Sequence, residues 1–220
     1  MTISRLYDLN HTLLADYLQR FCYPWEALPP LADAIRQAGK QLSSDRFDYR
    51  GDDVWIAKSA TVAPTALING PGIIDEDAQV RHGAFIRGSA MVGKRAVVGN
   101  SVELKNCILF DEVQVPHYNY VGDSILGYRA HMGAGAVTSN VKSDRSPVVV
   151  RGAALIMPTD LKKCGAMIGD HVEIGCNCVL NPGTVSGRST QIYPTSCVRG
   201  IIPEQHIYKD PRNIIPKRSR

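Results

Sequence analysis

The chain has 220 residues, of which 44% are hydrophobic and 21% charged. This composition is typical of a globular protein and excludes a disordered chain, a collagen and a simple coiled coil. The formal charge is +4, and segment 209–220 alone carries five basic residues against one acidic residue. The rest is therefore neutral, whereas a nucleic-acid-binding face needs clustered Lys and Arg. We interpret 209–220 as a solvated basic tail and expect no nucleic-acid partner.

The sequence also argues against a membrane and a metal. No stretch approaches the roughly 18 consecutive apolar residues that a membrane span needs, and the first residues lack the apolar region of a signal peptide. We therefore expect a cytoplasmic protein without a membrane contact. The six cysteines follow neither a disulfide framework nor the spacing of zinc ligands. Cys176 and Cys178 are interpreted as thiols within a repeat, and no metal is expected.

A six-residue repeat predicts the architecture. Helices and alternating strands repeat every 3.6 and 2 residues, so neither explains a period of six. A coil of short parallel strands does, with a large and a small side chain of each repeat pointing into a narrow interior. The large residues are Ile56, Val62, Ile68, Ile74, Val80, Ile86, Val92, Val98, Leu104 and Phe110, and a small residue stands four positions after each of the first seven. The residues alone thus predict a mainly β protein, a parallel β-helix.

The limits of the repeat give the predicted domain boundaries. Residues 1–50 carry leucines at near-helical spacing and are predicted to form a helical cap over the first coil, with a partner-binding module as the alternative. The β-helix is predicted over residues 51–208, followed by the basic tail. The strict pattern stops after Val115 and resumes at Ile168. Loop insertions are therefore predicted around 116–123 and 141–166, and such insertions often carry binding sites.

Four segments within the repeat point to a family. They are VGNSVELKN (98–106), VPHYNYVGDS (115–124), GAGAVTSN (133–140) and GDHVEIGCNCVLNPGT (169–184). Over residues 56–205 the chain resembles the hexapeptide-repeat acyltransferases, in particular the C-terminal acetyltransferase domain of bifunctional N-acetylglucosamine-1-phosphate uridyltransferase and the UDP-N-acetylglucosamine pyrophosphorylase-related proteins. The resemblance implies a left-handed parallel β-helix, a homotrimer, acetyl-CoA as co-substrate, and an amino-sugar phosphate or nucleotide sugar as acceptor.

The resemblance also implies roles for individual residues. It places a general base at His117, the backbone N–H of Ala134 at the thioester oxygen, and Asn140 near both substrates. The acceptor-binding residues that it implies are Arg87, Lys105, Tyr120, His131 and Lys163. The coenzyme A-binding residues that it implies are Ala134, Val141, Cys176 and Pro194. Three positions depart from the family pattern, because His131 replaces an Asn, Val141 an aromatic residue and Cys176 a Ser.

These residue types suit acyl transfer to an amine. The attacking amine must lose a proton, and a positioned histidine that accepts it typically contributes roughly 10²–10⁴-fold to the rate. A preorganised donor to the developing oxyanion contributes roughly 10²–10³-fold. Arg87 and Lys105 stand three repeats apart in the sequence. If three repeats make one coil, as in the family, both cations stack on one face and suit a phosphate.

Two other functions remain open from the sequence. A zinc hydratase on a similar scaffold needs three converging histidines, and the six histidines show no ligand spacing. A non-catalytic scaffold or a sugar-nucleotide-binding protein would keep the fold with a degraded site, which the departures at Val141 and Cys176 leave open. No uridyltransferase activity is expected of this chain, because residues 1–50 are too short for an α/β nucleotide-binding domain.

Overall fold

The computed structural model describes residues 1–152 and 155–218, and these residues form a three-sided parallel β-helix with a helical N-terminal segment. The predicted fold class is confirmed. The helices are Ile3–Leu6, Ala15–Leu18 and Leu31–Gly39, with 3₁₀ turns at Leu9–His11 and Pro24–Ala27. No helix among the described residues has the length and apolar character needed to cross a membrane.

Each coil contributes one strand to each of three faces, and Phe47–Tyr49 pairs antiparallel at the edge of the first face. The first face contains Val54–Ala57, Gly72–Ile74, Ala90–Val92, the second halves of Glu103–Leu109 and Tyr120–Leu126, Ala166–Ile168, Thr184–Ser186 and Ile201–Ile202. The second face contains Thr61–Val62, Gln79–Val80, Val97–Asn100, Gln114–His117, His131–Met132, Glu173–Ile174, Gln191–Ile192, His206–Asp210 and Asn213–Pro216. The third face contains Leu67–Ile68, Phe85–Ile86, the first halves of the two long strands, Val137–Thr138, Val179–Leu180 and Cys197–Val198.

The strand register shows where the six-residue pattern changes phase. Leu109 pairs with Val92 on one side and with Leu126 on the other, so each of these two coils contains 17 residues instead of 18. Leu109 therefore takes the repeat position that strict counting assigns to Phe110. The repeat continues beyond Val115, and a search for intervals of exactly six loses it because each coil is one residue short.

Only one of the two predicted insertions leaves the coil. Residues 116–123 belong to two strands of the β-helix, apart from a turn at Tyr118 and Asn119, so the loop predicted there is wrong. The chain departs from the coil between Val137–Thr138 and Ala166–Ile168. There it forms an antiparallel hairpin, in which Val149–Arg151 pairs with Ile156–Pro158.

The N-terminal segment packs along the first face, and not over the open end of the first coil as the sequence predicts. Alternate residues of a strand point to opposite sides, and the outward residues of this face are apolar and fully buried: Ile73, Met91, Ile108, Ile125 and Met167. The ring of Tyr7 lies 5.1 Å from that of Phe110, and the N–H of Asp170 donates to the carbonyl of Leu6. Burying one such side chain typically contributes about 1.5–3 kcal/mol, so this face requires its cover.

Part of the predicted tail is also ordered by strand pairing. Asn213–Pro216 pairs antiparallel with His206–Asp210 and extends the second face. Tyr208 of strand His206–Asp210 is buried, with 2% of its surface exposed, and its hydroxyl donates to the carbonyl of Cys197. Most of residues 209–216 are exposed to solvent, as predicted, but they form strands instead of an irregular tail, and Ile214 packs against the core.

An ion-pair ladder links three coils where the first face turns into the second. Glu112 Oε1 lies 2.8 Å from Arg95 Nη2, and Glu112 Oε2 lies 2.6 Å from Arg129 Nε. Hydrogen bonds from Arg95 and Arg129 lower the pKa of Glu112 from 4.5 to about 2. The ionised Glu112 carboxylate therefore stabilises the folded state.

We expect Glu112→Gln to lower the free energy of unfolding at neutral pH by about 1 kcal/mol, the range of surface ion pairs. Because the pKa in the folded state lies below that in the unfolded state, this stabilisation is present above the unfolded pKa and lost as the pH falls toward about 2. Urea unfolding of both proteins across the acid range measures the difference. A gap that stays constant down to the lowest pH would contradict the assignment.

Candidate active site

Four residues implied by the family resemblance form one axial column at the corner between the second and third faces. The N–H of Gly135 donates to the carbonyl of His117, and equivalent bonds from the next two coils reach the carbonyls of Ala134 and Cys176, at 3.0, 2.9 and 2.8 Å. With Pro194, these residues occupy the same corner of four consecutive coils. Since neighbouring strands are about 4.8 Å apart, the column extends about 14 Å.

A groove of about 410 Å³ crosses three coils beside this column. Cys176 and Pro194 line it, together with His131. Its floor is largely backbone, because glycines allow the coils to meet closely: a Cβ on Gly133 would lie 2.6 Å from the nitrogen of Cys176, and one on Gly175 would lie 2.4 Å from that of Pro194. The groove thus crosses three coils and presents both polar and apolar groups, His131 and Pro194 among them.

A buried amide fixes the backbone of His117 against the Ala134 segment. Asn119 is 2% exposed, and its Nδ2 donates to the carbonyls of Gly133 and Ala136 at 2.8 and 3.0 Å. Its Oδ1 accepts the N–H of His117 at 3.1 Å. The His117 side chain itself is exposed. The sequence motif contained Asn119, but only the turn geometry shows its role.

Three further residues implied by the resemblance meet around Asp123, which the sequence did not single out. Asp123 is 2% exposed, and Lys105 Nζ lies 2.7 and 3.0 Å from its two carboxylate oxygens. Asn140 Nδ2 donates to Asp123 Oδ2 at 2.5 Å and to the Tyr120 hydroxyl at 3.2 Å. Asn106 Nδ2 adds a bond to Asp123 Oδ1 at 2.8 Å. Burial is the main cause that raises the pKa of Tyr120 above 10, so its phenol stays protonated.

A sequence signal for Asp123 exists once the coil length is known. Asn106, Asp123 and Asn140 are separated by 17 residues each, so they stand at one corner of three consecutive coils. The outer two amides hydrogen-bond the central carboxylate. Beside them, burial raises the pKa values of Cys107 and Cys164 to about 12, and both remain neutral thiols.

Arg87 stacks on Lys105 one coil apart, as their spacing predicts, because Ile86 pairs with Leu104. Arg87 Nη1 lies 2.6 Å from Glu103 Oε1, and the Arg87 side chain remains 47% exposed. Both cations of the predicted phosphate site therefore have a carboxylate partner within the chain. Arg87 still presents part of its guanidinium to solvent, whereas Lys105 is bound to a buried carboxylate.

The structure does not bring the remaining predicted residues into one cluster. His131 Nδ1 lies 2.8 Å from Glu173 Oε2 on the second face. Lys163 is exposed and precedes Cys164, whose N–H donates to the carbonyl of Asn140 at 2.9 Å.

Val141 lies apart from the groove. It lines a separate cavity of about 500 Å³ between the inserted segment and the third face, with Arg151 and Arg199 among the other lining residues. This cavity shares no lining residue with the groove beside Cys176. Within residues 1–152 and 155–218, no group of three or more His, Cys, Asp or Glu side chains is placed to hold a metal ion.

Comparison with known proteins finds similarity to sugar-modifying enzymes. Residues 68–156 match the family model described as the GMPPB C-terminal domain. The chain is 34% identical over 215 residues to the bifunctional protein GlmU of Methanococcus maripaludis, with 96% of this chain and 52% of that protein covered. It is 32% identical over 231 residues to the bifunctional sugar-1-phosphate nucleotidylyltransferase/acetyltransferase of Sulfurisphaera tokodaii, with 88% and 57% covered. The chain thus spans about half the length of these two curated relatives.

Among solved structures, the acetyltransferase domain of PglB from Neisseria gonorrhoeae in complex with acetyl coenzyme A aligns with 75% of this chain and 58% of its own, at 18% identity and a TM-score of 0.35. The repeat and the coil register define the chain as a parallel β-helix protein built from six-residue repeats. Within that class it resembles the acyltransferases, of the type that acetylates sugars, and the predicted resemblance is confirmed.

We expect Lys105→Met to lower the free energy of unfolding by about 3 kcal/mol, because it leaves the buried Asp123 carboxylate without its cation. Adding Asp123→Asn should restore part of this loss by removing the unpaired charge. Arg87→Met is the matched control, since it breaks a half-exposed pair and should destabilise the protein clearly less than Lys105→Met does. Urea unfolding at neutral pH measures all four proteins. Equal losses for the two single cation variants would show that Asp123 does not depend on Lys105.

Proposed function

We propose that the chain is an acetyl-CoA-dependent N-acyltransferase that acts on an amino-sugar phosphate, with His117 as the general base. The observation that carries the proposal is the corner column, in which His117 stands one coil from Ala134 and in line with Cys176 and Pro194. A base, an oxyanion donor and a groove for an extended ligand are thereby in register. A nucleotide sugar is the alternative acceptor.

His117 and Ala134 suit the two demands of acyl transfer. The His117 imidazole is exposed at the end of the column, where it is accessible to the amine of an acceptor and takes its proton as the new bond forms. In the described part of the chain, the Ala134 N–H donates to no protein acceptor, which leaves it free to stabilise an oxyanion. Asn119 holds the two segments together, so their spacing is preorganised.

The acceptor would bind on the third face near Asp123. Arg87 offers a half-exposed guanidinium, whose planar fork suits a phosphate. Tyr120 offers a protonated hydroxyl, and the exposed ammonium of Lys163 lies one residue from the segment that bonds Asn140. Lys105 would contribute positive charge while it remains paired with Asp123. These groups suit a phosphorylated sugar better than an uncharged one.

The co-substrate would lie in the groove beside Cys176 and Pro194. The groove crosses three coils and has a backbone floor, which favours an extended chain with amide groups that can hydrogen-bond the protein. The thioester, when bound, supplies the acyl group. Val141 lines a different cavity, so we leave it out of this proposed binding site. His131, paired with Glu173, borders the groove and is assigned to its wall.

A homotrimer is proposed because the outward-pointing side chains of the third face are mostly apolar. Its paired outward residues are mostly apolar: Leu67, Phe85, Glu103, Tyr120, Val137, Val179 and Cys197. Leu67 is 57% and Val179 38% exposed. The corresponding row of the second face is mostly polar. Burying the third face against another copy would also enclose Tyr120.

We expect His117→Ala to lower kcat by roughly 10²–10⁴-fold with a smaller change in coenzyme A affinity, because only the proton acceptor is lost. Thiol release from acetyl-CoA is measured with glucosamine 1-phosphate and a panel of amino sugars and nucleotide sugars. His82→Ala is the control, since His82 is also exposed but bonds Thr65.

Equal turnover by a properly assembled His117→Ala protein would remove His117 from the mechanism. Absence of turnover by the wild type on every amino sugar would instead favour a non-catalytic β-helix protein. Coenzyme A binding and the oligomeric state, followed in parallel, show whether a loss of turnover reflects loss of assembly.

We expect Val179→Arg to convert the trimer to monomers, because an exposed apolar residue of the third face would become a desolvated charge in the interface. Gln191→Arg is the matched control on the second face, at an exposed strand position one coil away. Light scattering at micromolar concentration gives the mass of each protein. A monomeric wild type, or dissociation only of the Gln191 variant, would rule out the third face as the interface.

A further inference from the structure

The hydroxyl of Tyr120 has one hydrogen-bond partner in the described part of the chain, and that partner is a donor. Asn140 Nδ2 lies 3.2 Å from the Tyr120 oxygen and 2.5 Å from Asp123 Oδ2. An amide nitrogen carries two protons, one for each of these acceptors, and an amide oxygen carries none. Asp123, Asn140 and Tyr120 are thus linked by two hydrogen bonds. Which group donates in each bond depends on which end of the Asn140 amide faces Asp123.

Asp123 decides that direction. Its two oxygens receive Lys105 Nζ, and each receives one further amide, Asn106 on Oδ1 and Asn140 on Oδ2. A buried carboxylate that receives a lysine ammonium on both oxygens and an amide donor on each acts as an acceptor only. The amide oxygen of Asn140 cannot face it without repulsion. The nitrogen must, and the same nitrogen then donates to Tyr120.

We propose that Asp123 is a positioning residue that acts through Asn140 to leave the proton of the Tyr120 hydroxyl free for an oxygen atom of the acceptor. The hydroxyl oxygen is occupied by the Asn140 donor, so its own proton points away from the protein network. Burial raises the pKa of this phenol and preserves the proton. The identity of the acceptor as a phosphorylated sugar rests on the proposed function, whereas the direction of the hydrogen bonds between Asp123, Asn140 and Tyr120 does not.

An isosteric substitution at position 123 reverses the direction of these hydrogen bonds. In Asp123→Asn the new amide nitrogen can face Asn140, whose own amide then turns its oxygen toward both position 123 and Tyr120. Tyr120 now donates to Asn140 and offers no proton to a ligand. Asp123→Asn should therefore have the same effect on the acceptor as Tyr120→Phe, although residue 123 does not touch the acceptor.

The kinetic test is a double-mutant cycle on the full chain. Tyr120→Phe and Asp123→Asn should each weaken binding of glucosamine 1-phosphate by roughly tenfold to a hundredfold, the worth of a hydrogen bond to a charged group. The double variant should be no weaker than Tyr120→Phe alone. Asn106→Ala is the matched control, because it removes another donor to Asp123 without touching Asn140, and its effect should stay below about threefold. Affinity for coenzyme A should change in none of them.

A neutron structure of the ligand-free, deuterated protein tests the direction independently. Deuterons on the Asn140 nitrogen toward both Asp123 and Tyr120 support the proposal, and an amide oxygen in that place overturns it. Additive losses in the cycle also overturn it, even when the wild type turns over amino-sugar phosphate normally. Wild-type binding with the expected cycle but without turnover would leave this inference intact and contradict the proposed catalysis.

Discussion

The stacking of coils through backbone hydrogen bonds is the constraint on which the rest of the structure depends. These bonds hold equivalent residues of neighbouring coils about 4.8 Å apart, so side chains at one corner form a column whatever lies between them in the sequence. His117 and Ala134 are neighbours for this reason. So are Asn106 and Asp123, and Arg87 and Lys105. The residues of the candidate site are thus brought together by the strand register.

Register also explains why a polar centre can exist beside a tightly packed interior. At the corner after the third face, the strands Glu103–Leu109 and Tyr120–Leu126 pass through single left-handed residues, Asn106 and Asp123, with φ near 50°. Asn and Asp tolerate this conformation better than branched residues. The turn positions that the backbone requires are therefore filled by side chains with hydrogen-bonding groups, and their stacking produces a network rather than isolated polar residues.

The sequence predicted much of this because periodicity reports local geometry. A period of six led to the parallel coil, and the distance from Arg87 to Lys105 led to their stacking. Errors arose where the coil length changed by a single residue. Because two coils contain 17 residues, a pair of strands was predicted as a loop, and the position of Asp123 in the repeat was not recognised. Apolar residues at outward positions, such as Ile73 and Met91, indicate that residues 1–50 pack on the first face. The sequence alone, however, does not show which positions of that face point outward.

The bond between Leu6 and Asp170 has a consequence for the order in which the chain folds. Asp8 and Asp170 are also joined, across 162 residues of sequence. Successive coils need only their neighbours and can form as they leave the ribosome. The N-terminal helices are synthesised before these coils, yet they cannot complete their packing until the coil containing Asp170 exists. During synthesis their apolar sides and the first face thus remain exposed to chaperones and to other chains.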